Sequence, residues 1–508
     1  MMHQHKRWVG ASLFVLCLGI GLAVGVTQLH ALLPKPSVAG GMLLNRTQLL
    51  PVNPKQFNYG VAVSDIDGDG KMEWIVAGYG FRNLVLKWNG KQLIDVTSSA
   101  IADRSRQAIG VAACDIDGDG REELYVLNTD SFAGRKRFGD RLFAFRKGAW
   151  VDLFSLRQNK RDRNLTAGRS VACVDREGDG RYEVLVANYG GPMRLYRWSK
   201  GDRIKDIAME ARVDFTTGGR AVVSAPLATS KMDIFAANEN GPNFFFRNNG
   251  NGTFSDIAKK AKIEDPRNHG RGITILDANH DGYLDIVYGN WEGPHRMFVR
   301  TGNVIFQDRM PPEMAKPSKI RTVIAADFDN DGYEELFFNN IGQPNRLFGY
   351  RKGRWQKVDI GDALEPRGLG TGGAVADLDG DGRLELLLSH GEAGAQPLTL
   401  YHSRDRGHRW IRIFPLTQFG APARGAVVTL QTQQRSQVRA IDAGSGYLCQ
   451  MEPIAHFGLG KESRVLRVNV TWPDGTSRTV RNLAPGRVHR IAYPKTLKRG
   501  IPLPTKRP

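Results

Sequence analysis

From residue 60 to residue 390 the chain repeats a pair of apolar runs at near-constant spacing. The first run of each pair is small and β-rich: GVAVS (60–64), GVAAC (110–114), SVACV (170–174), RAVVS (220–224), GITIL (272–276), TVIAA (322–326) and GGAVA (372–376). The second is bulkier: WIVAG, LYVLN, VLVAN, IFAAN, IVYGN, LFFNN and LLLSH. Five of these end on Asn (Asn128, Asn188, Asn238, Asn290, Asn340), a residue suited to strand exits. Two more alternating stretches usually follow, such as Arg296-Met-Phe-Val-Arg300 and Val304-Ile-Phe-Gln-Asp308. The pattern predicts four short strands per unit, the innermost carrying small side chains for a crowded axis. A period of about 50 residues belongs to propellers and solenoids, whose units cannot bury their apolar faces alone.

Between the two runs lies an acidic loop. Six of these loops share one spacing: Asp65, Asp67, Asp69, Lys71, Glu73; Asp115, Asp117, Asp119, Arg121, Glu123; Asp175, Glu177, Asp179, Arg181, Glu183; Asp277, Asn279, Asp281, Tyr283, Asp285; Asp327, Asp329, Asp331, Tyr333, Glu335; and Asp377, Asp379, Asp381, Arg383, Glu385. Oxygen donors at positions 1, 3, 5 and 9, a Gly at 6 and a backbone carbonyl at 7 are what Ca²⁺ takes, with roughly six to eight oxygens around the ion. About six structural Ca²⁺ sites are therefore expected. An EF-hand is excluded, because its loop ends on Glu at position 12 between helices. The longest interval, between Asp175 and Asp277, hides a seventh member at Ala225–Asp233 (APLATSKMD), which keeps only the last acidic position.

Seven units indicate an all-β fold: a seven-bladed β-propeller over residues 42–403, with a small C-terminal β-domain over 408–493. The last unit lacks a fourth strand, and Met42–Val52 is expected to supply it and close the ring. In the C-terminal segment VVTLQTQ, SQVRAID and VLRVNVTW alternate as strands, and Pro473-Asp-Gly475 makes a turn. His456 has no second His or Cys nearby, which points to an imidazole fixing a turn rather than a metal ligand.

Ahead of the repeats, His3, His5, Lys6 and Arg7 precede an apolar stretch from Val9 to Val26, followed by Leu29-His-Ala31. Residues 1–31 are read as a secretory signal peptide or an uncleaved membrane anchor, and export to an extracellular or periplasmic space is expected. Beyond Cys17, only Cys114, Cys173 and Cys449 remain. An odd count with two members in inner strands is read as small buried side chains, not a disulfide framework.

The acidic loops resemble the FG-GAP/VCBS repeats of integrin α-subunit propellers. Asn240-Gly-Pro-Asn through Ser255-Asp256 is similar to the cartilage acidic protein family. Arg424-Gly-Ala, Gly444-Ser-Gly-Tyr447, His456-Phe-Gly-Leu-Gly460 and Trp472-Pro-Asp-Gly475 together resemble an ASPIC/UnbV domain. The resemblance spans about residues 42–490. It implies an extracellular integrin-like propeller with calcium in the blade loops and a role in cell adhesion or ligand binding. The chain departs from the family's acidic namesake in its net charge of +19, and no cysteine follows Cys449. What transfers is the broad inference of a binding module.

The charge is not spread evenly. Segments preceding the inner strands are basic, and carry Arg106, Arg163, Arg169, Arg220, Arg271, Arg321 and Arg367. Loops before and after one strand lie on opposite faces of a blade, so these arginines are expected around the channel mouth, away from the metal loops. Converging guanidiniums would bind an anionic glycan or an acidic patch of an extracellular or envelope protein. Residues 494–508 form a basic tail expected to be disordered. No nucleic-acid recognition motif accompanies the basic charge, membrane contact is expected only through the N-terminal segment, and a monomer is expected. The acidic residues are committed to the loops and no acid–base constellation stands outside them, so no catalytic residue is assigned. A polysaccharide-lyase-like enzyme and an envelope assembly scaffold remain the alternatives.

Overall fold

A computed structural model of the chain describes residues 40–494, so the N-terminal signal or anchor and nearly all of the basic tail lie outside the described residues. Each repeat forms a four-stranded antiparallel sheet. The first, blade 1, runs Asn58–Ser64, Glu73–Gly78, Leu84–Trp88 and Leu93–Asp95 from axis to rim. Blades 2 to 6 begin with the inner strands Ala108–Cys114, Gly168–Val174, Thr216–Ala225, Gly270–Leu276 and Ile320–Ala326. Blade 7 begins with Gly370–Ala376, and its outermost strand is Leu43–Asn45, paired antiparallel with Thr399–Ser403. The early segment thus closes the ring as its sequence predicts. Inner strands neighbour one another in cyclic order, blade 7 meeting blade 1. Between blades the core is aliphatic and aromatic, with Trp74, Tyr125 and Phe235 fully buried. No helix of the described residues is long and apolar enough to cross a membrane.

The C-terminal domain is a sandwich of two sheets. One joins Arg409–Pro415 to Ala455–Gly460 and, in parallel, to Val488–Ile491; the other is ordered Ser436–Ala440, Val427–Gln431, Arg467–Thr471, Ser477–Arg481. Ile411, Ile413, Val428, Leu430, Phe457 and Val468 fill the space between them.

The axis of the ring is filled by this second domain. Residues 441–454, which join its two sheets, thread the channel and bond to inner strands around it. Gly446 exchanges backbone hydrogen bonds with Ile273 (2.6 and 2.7 Å), and Gln450 does so with Val61 and Val63 (2.9 and 3.1 Å). The Cys173 N–H donates to the Ala443 carbonyl at 2.7 Å, and the Gln450 side chain pairs with the Ala113 backbone at 2.8 and 3.1 Å. Small inner-strand residues are required by this plug. A Cβ on Gly60 would lie 2.1 Å from the Leu448 carbonyl oxygen, and one on Gly110 would lie 2.8 Å from the Leu448 side chain.

The cysteine expectation is corrected in part. Cys114 and Cys173, on neighbouring inner strands, form a disulfide with 6.3 Å between their Cα atoms, while Cys449 in the plug is free and buried. Parity misled because the third cysteine belongs to another element altogether.

Candidate metal loops and an arginine cavity on opposite faces

Each acidic loop follows an inner strand and is wound by its own side chains. The first Asp accepts the N–H of the glycine at position 6 in all six loops, as from Gly70 to Asp65 (2.8 Å) and Gly120 to Asp115 (3.0 Å). These glycines have φ between 77° and 95°, a region costly for any other residue. The carboxylate at position 9 accepts the N–H of position 2, as from Ile66 to Glu73 (3.0 Å) and Phe328 to Glu335 (2.9 Å). Position 5 accepts from the backbone N–H of position 7, as from Arg121 to Asp119 (2.9 Å) and Tyr283 to Asp281 (2.9 Å). These hydrogen bonds fix the loop backbone through its own side chains.

Four loops bring three carboxylate oxygens within 4.8 Å of one another: Asp65, Asp67 and Glu73; Asp115, Asp117 and Glu123; Asp327, Asp329 and Glu335; Asp377, Asp379 and Glu385. Burial raises the Asp115 and Asp285 carboxyls to about 7 and Asp277 to about 6, with the neighbouring carboxylates adding to the rise. A buried oxygen of Asp327 has no hydrogen-bond partner. Clustered oxygens, buried charge and an orphaned acceptor fit a hard cation. Two loops differ. In the loop at Asp175, the Arg176 guanidinium turns onto Glu177 (2.6 Å) and Glu183 (3.5 Å); in the loop at Asp277, Asn279 offers an amide at position 3. The Ala225–Asp233 loop is self-satisfied, because Asp233 accepts from Ala228, Thr229 and Asn248.

Third-strand cations also reach these loops, a feature the motif spacing did not reveal. Lys87 lies on Asp67, Asp69 (2.8 Å) and Glu73 (3.1 Å), and Arg351 on Asp329 (2.8 Å), Asp331 (3.0 Å) and Glu335 (2.5 Å). Two position 7 side chains point elsewhere, Arg121 over the Phe145 ring and Arg181 over that of Phe419, whereas Arg383 turns back onto Asp381 of its own loop (2.8 Å).

The C-terminal domain sits on the metal-loop face. The Gly458 N–H donates to Asp327 (2.9 Å), the Arg412 guanidinium reaches Asp377 (3.1 Å), and Arg424 pairs with Glu122 (2.5 Å) in complete burial. His456 holds a turn of another element, not one of its own. It lies on a strand, buried, with Nε2 2.6 Å from the Asn330 side-chain oxygen in the sixth blade's loop.

On the opposite face a cavity of about 430 Å³ opens at the channel mouth. Arg169, Arg220, Arg271 and Arg321 line it, and the plug supplies its floor through Tyr447 and Leu448. The other three expected arginines lie elsewhere. Arg106 stacks on Phe138 beside Asp103, while Arg163 and Arg367 are exposed and outside the cavity lining. Three carboxylates that the sequence reading did not single out also line the cavity, Asp130 at the rim, Glu239 and Glu392. Glu239 bridges Arg220 and Arg271 (2.5 Å to the latter), and Glu392 pairs with Arg321. Despite its burial, Glu239 is held at about 2 by Arg220 and Arg271. Burial would raise the Tyr447 phenol, but Arg220, Arg321, Arg169 and Arg271 hold it below its ordinary value. Arg169 has no carboxylate and donates only to the Ser131 and Phe132 carbonyls. Phe132 and Trp291 stack against the guanidiniums, and Phe132 is 64% exposed at the rim.

A ring of four-stranded sheets with acidic loops, capped by a β-sandwich, defines an FG-GAP-type propeller carrying an ASPIC/UnbV domain. The FG-GAP-like repeat model matches residues 59–126, 229–288, 277–338 and 327–388, and the ASPIC and UnbV model matches 417–498. The chain is 49% identical over 496 residues to cartilage acidic protein 1 of Homo sapiens, covering 89% of this chain and 75% of that protein. It is 49% identical over 486 residues to the Xenopus tropicalis protein of that name, with 87% and 74% covered. The chain belongs to the cartilage acidic protein family. Among solved structures, the BP39L lectin from Burkholderia pseudomallei is similar over 68% of this chain and 99% of its own, at 12% identity and a TM-score of 0.45.

Proposed function

We propose that this protein is an exported, calcium-stabilised adhesion module that binds an anionic glycan or an acidic extracellular protein at the arginine cavity. The observation that carries the reading is the convergence of four guanidiniums at the channel mouth, of which Arg169 has no carboxylate partner. Guanidiniums in a recess focus a positive field and offer fork geometry to a carboxylate or sulfate. The metal loops would serve the same function indirectly. Asp, Glu and Asn oxygens at positions 1, 3, 5 and 9, with the position 7 carbonyl, would hold Ca²⁺ and so brace the face on which the C-terminal domain and its plug rest.

Capture on an array of glycans and extracellular or envelope proteins, with calcium and then with chelator, tests the reading. Binding confined to anionic features supports it; capture of neutral features alone overturns it. A lyase has one observation in its favour, the Tyr447 phenol set among four guanidiniums in the cavity floor. Release of unsaturated oligosaccharides from an acidic polysaccharide would distinguish that reading, since a binder releases none.

A further inference from the structure

We propose that the arginine cavity recognises a single uronic acid residue, a pyranose ring bearing one carboxylate, on a glycan; the inference rests on the anion-binding reading above. The pairing of the guanidiniums shows where an anionic group would dock. Four guanidiniums face Glu239 and Glu392, while the rim carboxylate Asp130 is already paired with Arg137 at 2.7 Å. Of the four, Arg169 alone lacks a carboxylate. Its Nε, like those of Arg271 and Arg321, is buried without a hydrogen-bond partner, and Arg271 and Arg321 are 5% and 7% exposed. Four guanidiniums against two carboxylates leave an excess of two positive charges, because Arg220 and Arg271 share Glu239, and Arg169 is the guanidinium that an added carboxylate would have to itself. A strongly acidic peptide would bring several charges against Glu239, Glu392 and Asp130.

The same carboxylates favour a sugar. Glu392, Asp130 and the Thr129 hydroxyl line the cavity beside the guanidiniums, so acceptors stand next to donors. Ring hydroxyls need both, whereas a lone acidic side chain would leave the acceptors unused. Tyr59, Tyr79, Phe132 and Trp291 supply the apolar walls, on which the C–H face of a pyranose can lie. The volume of about 430 Å³ falls within the small-ligand range of roughly 300–1,000 Å³ and exceeds what an Asp or Glu side chain would fill. Tyr447 closes the floor, its hydroxyl 3.5 Å from an Arg220 nitrogen.

Isothermal titration of the full chain with methyl β-D-glucuronide, methyl β-D-glucoside, inorganic sulfate and a triglutamate peptide tests this. The glucuronide should bind and the glucoside should bind at least about tenfold more weakly, having lost a charge-assisted hydrogen-bond pair. Arg169→Met should weaken the glucuronide by about tenfold or more, Arg169→Lys by less, and Arg163→Met, outside the cavity, should change nothing. Arg169 donates only to two carbonyls, so an unchanged circular dichroism spectrum and melting temperature will show that Arg169→Met stays folded. Sulfate or triglutamate binding that depends on Arg169, without glucuronide binding, overturns the uronate inference and leaves the anion reading standing. Absence of binding by every probe, or equal binding by Arg169→Met, overturns both.

Discussion

Replacing Arg424 by Met should detach the C-terminal domain from the propeller more than any surface change. Its side chain is 0% exposed and that of Glu122 is 2% exposed. The guanidinium donates to both Glu122 oxygens (2.5 and 3.2 Å), to the Val63 carbonyl (3.2 Å), and to the Asp442 and Met451 carbonyls in the plug (2.8 and 3.4 Å). One side chain therefore ties the ring to both ends of the plug. Methionine keeps the stem but strands Glu122 in the interior, with only the Ser64 hydroxyl at 2.6 Å still donating to it. Breaking one half of a buried ion pair costs about 3–5 kcal/mol. At about 1.4 kcal/mol per decade, plug amides whose exchange follows this opening should exchange roughly a hundred to several thousand times faster. Hydrogen exchange followed by mass spectrometry reads this directly, comparing peptides across 441–452 with the blade 5 strand Asp285–Asn290. The double variant R424M/E122M removes the stranded charge and should recover most of the loss. Unchanged plug exchange in the single variant would refute the reasoning. A double variant as weak as the single would show that the cost lies in the lost carbonyl contacts.

Three other outcomes follow from particular contacts. The Cys114–Cys173 bridge closes 59 residues, so a Cys114→Ser/Cys173→Ser variant should lose up to about 4 kcal/mol on the chain-entropy model, read as a lower urea midpoint; an unchanged midpoint would contradict it. Gly60→Ala places a Cβ against the Leu448 carbonyl oxygen, a backbone atom that cannot swing aside, and should cost about 1–3 kcal/mol and raise plug exchange. Glu239 is held at about 2 against an ordinary 4.5, so its stabilisation is fully present above pH 4.5 and is lost as pH falls toward 2. The melting-temperature gap between wild type and Glu239→Gln should therefore be flat above that pH and shrink below it; a gap that widens in acid would contradict the pairing.

The repeat architecture was legible because periodicity two and an acidic loop of fixed spacing recur, and each unit repeats the same burial problem. The ring-closing strand could be found by counting, since only the last unit lacked a partner for Thr399–Ser403. The opposition of metal loops and arginines followed from strand alternation alone. What the sequence hid was non-local. Gly444-Ser-Gly-Tyr447 could be matched as a motif, but nothing in its spacing says that it threads the ring, bonding to strands as far back as Ile273 and Val61. Glu239 and Glu392 were overlooked for the same reason, each sitting just beyond a second strand with no repeat signal. Arg106, Arg163 and Arg367 were misplaced because position before a strand does not fix distance from the axis.

The central claim is that the acidic loops bind calcium and thereby hold the C-terminal domain, its plug and the cavity floor in place. Thermal unfolding of the full chain in calcium and after chelation tests it most directly. The melting temperature should fall on chelation and return when calcium, but not an equal concentration of sodium, is restored. An identical melting temperature in both conditions would contradict the assignment of these loops as calcium sites.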